Sequence, residues 1–197
     1  IFLLTFLVIF VGNYVYGIYK VEASNYNFDD SISVKVVSPN FSLEDYRSQS
    51  EISQIIRLIK ISGPEKDKKT LFIWPEGIFY NSYLEDIVQY KDLFSDNFSK
   101  DHIIALGINN FTNSNDLKNK KYFNSLVIIN NKAEILSIYN KVNLVPFGEF
   151  LPFEKILSKF GLKKITRGYN SFSSGNERKI INLGNEFNER LILPLIC

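Results

Sequence analysis

The chain opens on nineteen residues without a charge, "IFLLTFLVIFVGNYVYGIY", and this run constrains the fold more than any other feature. As a helix it would rise about 28 Å at roughly 1.5 Å per residue, close to the hydrocarbon thickness of a bilayer. Asn13 is its only strongly polar residue. Tyr14, Tyr16 and Tyr19 gather at its C-terminal end, where an aromatic belt meets a membrane interface. Residues 1–19 are therefore expected to be the end of a transmembrane helix, and the polar residues 20–31 a linker. A signal-peptide core or a buried helix would share the composition, and "VEAS" at 21–24 is a weak cleavage site. The chain has no methionine, starts at Ile1 and stops at Cys197, so it is expected to be a piece of a longer protein.

Residues 32–197 read as a folded domain. The 197 residues are 45% hydrophobic and 22% charged, with a net charge of only +2, so no nucleic-acid footprint is visible. "ISVKVVS" at 32–38 alternates as a strand does. Ile52, Ile55, Ile56, Leu58 and Ile59 recur at helical spacing within 44–61. "TLFIW" is a short buried strand stopped by Pro75. Residues 83–98 carry one helical pattern, and "HIIALGIN" is another apolar strand. "YFNSLVIINNKAEILSIYNK" reads as two strands joined by a tight Asn-Asn turn. A long segment, 141–178, shows no strand pattern, with a short helix near 153–160. "KIINLG" and "RLILPLI" form a last strand pair. This order predicts a mixed α/β domain with helices covering the sheets.

Three strand ends carry chemistry. Glu76 follows "TLFIW" in "WPEG", Lys141 opens the stiff apolar loop "YNKVNLVPFGEFLP", and Cys197 ends "LPLIC". Taken singly, each fits a plain reading: a turn glutamate, a solvated lysine, a small buried thiol. Together they make a set. A lysine near a thiol stabilises the thiolate and later an oxyanion. The single histidine, His102, lies on an apolar strand, so another base is needed, and glutamate serves. Glu149, inside the apolar loop, is expected to be bonded and structural.

Glu, Lys and Cys at strand ends, in that order, resemble the nitrilase (carbon–nitrogen hydrolase) superfamily. "WPEG" at 74–77, "YNKVNLVPFGEFLP" at 139–152, "TRGYNSFSSG" at 166–175 and the terminal "LPLIC" look like the apolipoprotein N-acyltransferase family, bacterial inner-membrane enzymes that complete lipoprotein maturation. The pattern is not kept everywhere. "SPN" stands where a glutamine commonly precedes Asn40, and Gly77 where a residue such as alanine is usual.

The resemblance implies an incomplete α-β-β-α sandwich behind one transmembrane helix, with its catalytic side in the periplasm. It implies acyl transfer from a membrane phospholipid, through a Cys197 thioester, to the N-terminal amine of a diacylglyceryl lipoprotein. Glu76 would be the base, Cys197 the nucleophile, Lys141 the oxyanion support and Glu149 their brace. Trp74, Phe147, Phe150, Leu151 and Arg167 would contact substrate. No metal or cofactor is called for, and the protein is expected to be a monomer. Two other readings share the residues: a soluble hydrolase of a small amide or nitrile, and an inactive membrane-anchored interaction domain.

Overall fold

The computed structural model describes residues 2–23, 31–42, 44, 48–79, 82–112, 120–157, 159, 161 and 171–194. The chain divides into two compact units, Ile1–Ser31 and Ile32–Cys197.

The first unit holds helix α1, Phe2–Ala23, with none of its side chains buried. It is long and apolar enough to cross a membrane. The Asn13 amide donates to the Ile9 carbonyl one turn back at 3.0 Å, so the helix satisfies its own polar group. The helix runs on through Lys20–Ala23, residues read from sequence as linker. Nothing in Lys20-Val21-Glu22-Ala23 breaks a helix, and Lys20 sits in the last turn, where a cation complements the helix dipole.

The second unit is built on a five-stranded sheet in the order β1-β2-β3-β4-β5. The strands are β1 Ser33–Val36, β2 Thr70–Ile73, β3 His102–Phe111, β4 Tyr122–Asn130 and β5 Ile135–Asn140. β1, β2 and β3 run parallel. β4 and β5 then pair antiparallel. Two reversals make β5 parallel to β2, so both strands end at the same end of the sheet. β3 is much longer than β2: their ladder stops at Ile73↔Ala105, and the rest of β3 stays paired to β4, with one isolated parallel bridge from Asn109 to Tyr83. This overhang becomes the platform of the site.

The two sheet faces bury separate cores, as the period of two requires. One face carries Phe72, Trp74, Ile104, Leu106, Ile108, Val127 and Ile129 beneath three helices. These are α2 Glu51–Ser62, α3 Leu84–Val88 and α4 Lys91–Asn97. α2 buries Ile55, Leu58 and Ile59 at i, i+3 and i+4, starts from a Ser50 cap and stops at left-handed Gly63. The single helical pattern of 83–98 splits in two, because Tyr90 N–H turns back to the Ile87 carbonyl and ends α3 there. Both pieces still bury a residue fully against the sheet, Ile87 and Phe94.

The opposite face carries Leu71, Ile103, Ala105, Ile128 and Tyr139. It is covered by a strand pair, β6 Ile181–Asn182 with β7 Leu191–Ile192, and by the 3-10 turn Asn185–Phe187. Helix layer, sheet and second β layer follow the order of the expected sandwich. A short helix, α5 Glu154–Leu157, stands where a helix near 153–160 was expected. The β4–β5 turn is longer than an Asn-Asn pair. Asn130 Oδ1 accepts from Lys132 and Glu134 N–H groups, and Ala133 takes a left-handed φ of 56°.

Candidate active site

Glu76 is placed by the end of β2. Trp74 N–H makes the last ladder bond, to the Ala105 carbonyl at 2.8 Å, and Pro75 stops the strand. Gly77 then adopts φ 71°, a left-handed conformation that glycine takes at no steric cost, which accounts for glycine where alanine was the expectation. Glu76 lies directly on Gly107 of the β3 overhang. A Cβ at 107 would sit 2.7 Å from the Glu76 Cα, so glycine in mid-strand is what lets the two backbones close up.

Lys141 is placed by the end of β5. Its N–H donates to the Asn124 carbonyl at 2.8 Å, extending the ladder by one residue. Alternation from Tyr139 turns its side chain to the face of the sheet that holds Gly107. The side chain is only 3% exposed. Its ammonium donates to Glu149 Oε1 at 3.0 Å. The loop that carries Glu149 is tied to itself and to its neighbours. Val145 N–H donates to Glu149 Oε2 at 2.8 Å, Phe147 N–H to the Phe150 carbonyl at 2.8 Å, and Phe172 N–H to the Glu149 carbonyl at 2.8 Å.

Asn124 joins the two halves. Its amide nitrogen donates to Glu76 Oε1 at 2.6 Å and to Glu149 Oε1 at 2.9 Å. Glu76, Asn124, Glu149 and Lys141 thus form one hydrogen-bonded chain at one end of the sheet. Burial alone would push the Glu149 carboxyl up. The Asn124 amide, the Val145 N–H and the Lys141 ammonium outweigh that and hold it below its ordinary value. A carboxyl lowered in the folded state contributes stability that is complete above the unfolded value of about 4.3 and is lost as pH falls through the folded value. Glu149→Gln is therefore expected to shrink the difference between denaturant midpoints measured near neutrality and in acid.

Sequence reasoning missed Asn124 and Gly107. Both had a signal: an amide in the middle of an apolar strand, and a glycine in "ALGIN" with no turn around it. Cys197 and Arg167, expected as nucleophile and headgroup contact, lie outside the described residues. Trp74 stands in the core instead of at a substrate wall. It is 2% exposed, donates from its indole N–H to Ser62 Oγ at 3.0 Å, and packs on Phe94 and Phe98. Strand alternation sends it to the helix face with Phe72. Leu151 is likewise buried, whereas Phe147 is 45% exposed, as are its apolar neighbours Val145, Phe153 and Ile156 to similar or greater degrees. His102 is engaged at both ring nitrogens. Nδ1 accepts from Ser99 N–H at 3.0 Å, which puts the ring proton on Nε2, facing the Glu65 carbonyl at 2.9 Å. Those partners give the ring a packing role between Phe72 and Phe98.

The curated apolipoprotein N-acyltransferase of Rhodopseudomonas palustris (strain ATCC BAA-98 / CGA009) is 26% identical over 198 residues, 93% of this chain and 35% of the relative. The chain resembles the apolipoprotein N-acyltransferases. The enzyme of that name from Allorhizobium ampelinum (strain ATCC BAA-846 / DSM 112012 / S4) is 25% identical over 96% of this chain and 36% of its own. That of Brucella suis biovar 1 (strain 1330) is 27% identical over 84% of this chain and 31% of its own. The chain thus spans about a third of the length of these apolipoprotein N-acyltransferases. No protein-family model matches it. Among solved structures, a glutamine-dependent NAD+ synthetase from Acinetobacter baumannii shares 21% identity at a TM-score of 0.39, over 76% of this chain and 25% of that one; a likeness at that score carries no argument.

Proposed function

We propose that the chain carries the catalytic domain of a membrane acyltransferase. It moves a fatty acyl group from a phospholipid, through a thioester on Cys197, to the N-terminal amine of a diacylglyceryl-cysteine lipoprotein. The observation that carries this reading is the meeting of Glu76 and Lys141, far apart in sequence, through Asn124 and Glu149. The names of the sequence relatives support the substrate class. The apolar helix α1 and the exposed Val145, Phe147, Phe153 and Ile156 fit substrates that stay in lipid, where each buried CH₂ contributes about 0.8 kcal/mol.

In the first half-reaction Glu76 takes the thiol proton and the thiolate attacks an ester carbonyl of the phospholipid. The Lys141 ammonium stabilises the tetrahedral oxyanion. Collapse breaks the ester C–O bond, and the proton on Glu76 goes to the departing lysophospholipid oxygen. In the second half-reaction the lipoprotein amine attacks the thioester, Glu76 accepts a proton from it, and the thiolate leaves. Glu149 holds Lys141 in place. Phe147 and Phe150 line the acyl path, and Arg167 contacts the headgroup. The domain works as a monomer on the periplasmic side of the inner membrane.

The test is to incubate the full-length protein with a phospholipid labelled in its acyl chain and map the label by mass spectrometry. A hydroxylamine-sensitive label on Cys197, absent from Cys197→Ala and reduced at least about 10²-fold in rate by Glu76→Gln, is the expected result. Label on another residue, or free fatty acid with no enzyme-bound intermediate, overturns the mechanism.

A further inference from the structure

We propose that Asn124 is a positioning residue that fixes which oxygen of Glu76 handles the proton and offsets the repulsion between the Glu76 and Glu149 carboxylates. This rests on the acyl-transfer reading above. An asparagine amide nitrogen has two hydrogens. Here one goes to Glu76 Oε1 at 2.6 Å and the other to Glu149 Oε1 at 2.9 Å. The main-chain carbonyl of the same residue accepts from Lys141 N–H. One residue, 8% exposed, therefore touches the base, the brace and the main chain of Lys141.

Two carboxylates held this close ordinarily repel, and one of them keeps a proton. A protonated Glu76 cannot accept one from a thiol. The amide placed between them donates to the charged form of each and offsets that repulsion. Lys141 and Val145 N–H already favour the charge on Glu149. For Glu76 the contact is the Asn124 amide itself, so Asn124 is what ties this carboxylate to the rest of the chain of hydrogen bonds. Since Oε1 of Glu76 is held by the amide, Oε2 is the oxygen proposed to take the proton. The amide orientation follows from the same chemistry: turned the other way, its oxygen would face two carboxylate oxygens.

The test uses the full-length protein in phospholipid–detergent micelles with Asn124→Ala and the near-isosteric Asn124→Asp. Two quantities are read against pH: kcat for acyl transfer, and the rate at which iodoacetamide alkylates Cys197. In the alanine variant kcat is expected to fall about 10- to 100-fold with KM for the donor unchanged, and the acid limb of both profiles to move up by roughly one pH unit. In the aspartate variant a third carboxyl moves that limb further. A folded variant of either kind whose acid limb stays at the wild-type position overturns the proposal, as does a change confined to KM. Should wild-type protein form no thioester at all, the acyl-transfer reading fails, while the alkylation profiles still decide the coupling of Asn124 to Glu76.

Discussion

Lys141→Met is expected to abolish acyl transfer and to cost the domain about 3–5 kcal/mol. The two effects have separate causes. Methionine keeps the length of the stem and removes the charge. Glu149, with its side chain only 13% exposed, would then lose the cation that offsets its burial. Breaking one partner of a buried pair is costlier than never having had the pair, because a desolvated charge is left behind. The catalytic loss comes from the oxyanion, which loses its positive neighbour; removing one such donor typically costs 10²–10³ in kcat. Denaturant unfolding measures the first effect and single-turnover transfer the second. The double variant Lys141→Met/Glu149→Gln separates them: stability should return in part, since no desolvated charge is left behind and the glutamine oxygen still accepts a hydrogen bond in that loop, while activity should not. Full activity in Lys141→Met would remove the lysine from the chemistry.

Gly107→Ala is the second large effect, and it acts without touching any polar group. The new methyl would lie 2.7 Å from the Glu76 Cα, 3.0 Å from its Cβ and 3.2 Å from its Cγ. The nearest obstacle is backbone, so the Pro75–Gly77 turn has to move as a body. Overpacking of this kind costs about 1–3 kcal/mol. A displacement near 1 Å of a reacting group costs about 10² in rate. The expected pattern is a fall of that size in kcat, little change in KM, and a protein that still folds. Wild-type turnover in Gly107→Ala would mean that Glu76 is not held where its position matters.

Much of this fold was legible because its signals are local. The uncharged run gave α1, and the spacing of Ile55, Leu58 and Ile59 gave α2. The apolar runs gave β2 and β3, and the paired strands around Asn130 gave the hairpin. The split of α3 from α4 was not legible, since Ile87 and Phe94 lie on one apolar stripe whether or not the helix breaks between them. At the site, Glu76 and Lys141 could be picked out by residue type at strand ends, and Glu149 as a carboxylate inside an apolar loop. Their linkage could not, because it runs through Asn124, whose partners come from residues 48 positions before it and 25 after it. Trp74 was misjudged by its neighbours Pro75 and Glu76. Strand parity with Phe72 was the better guide, and it was present in the sequence.

The change of sense in the sheet also sets an order of assembly. β3, β4 and β5 are consecutive and antiparallel, so they close over shorter connections than the one that joins β2 to β3 for their parallel pairing. Asn124 and Lys141 belong to the antiparallel part. Glu76 arrives with β2, at the slow step. On the proposed roles, a nascent domain would have Lys141 in place before Glu76, and acyl transfer would begin only when the sheet is complete.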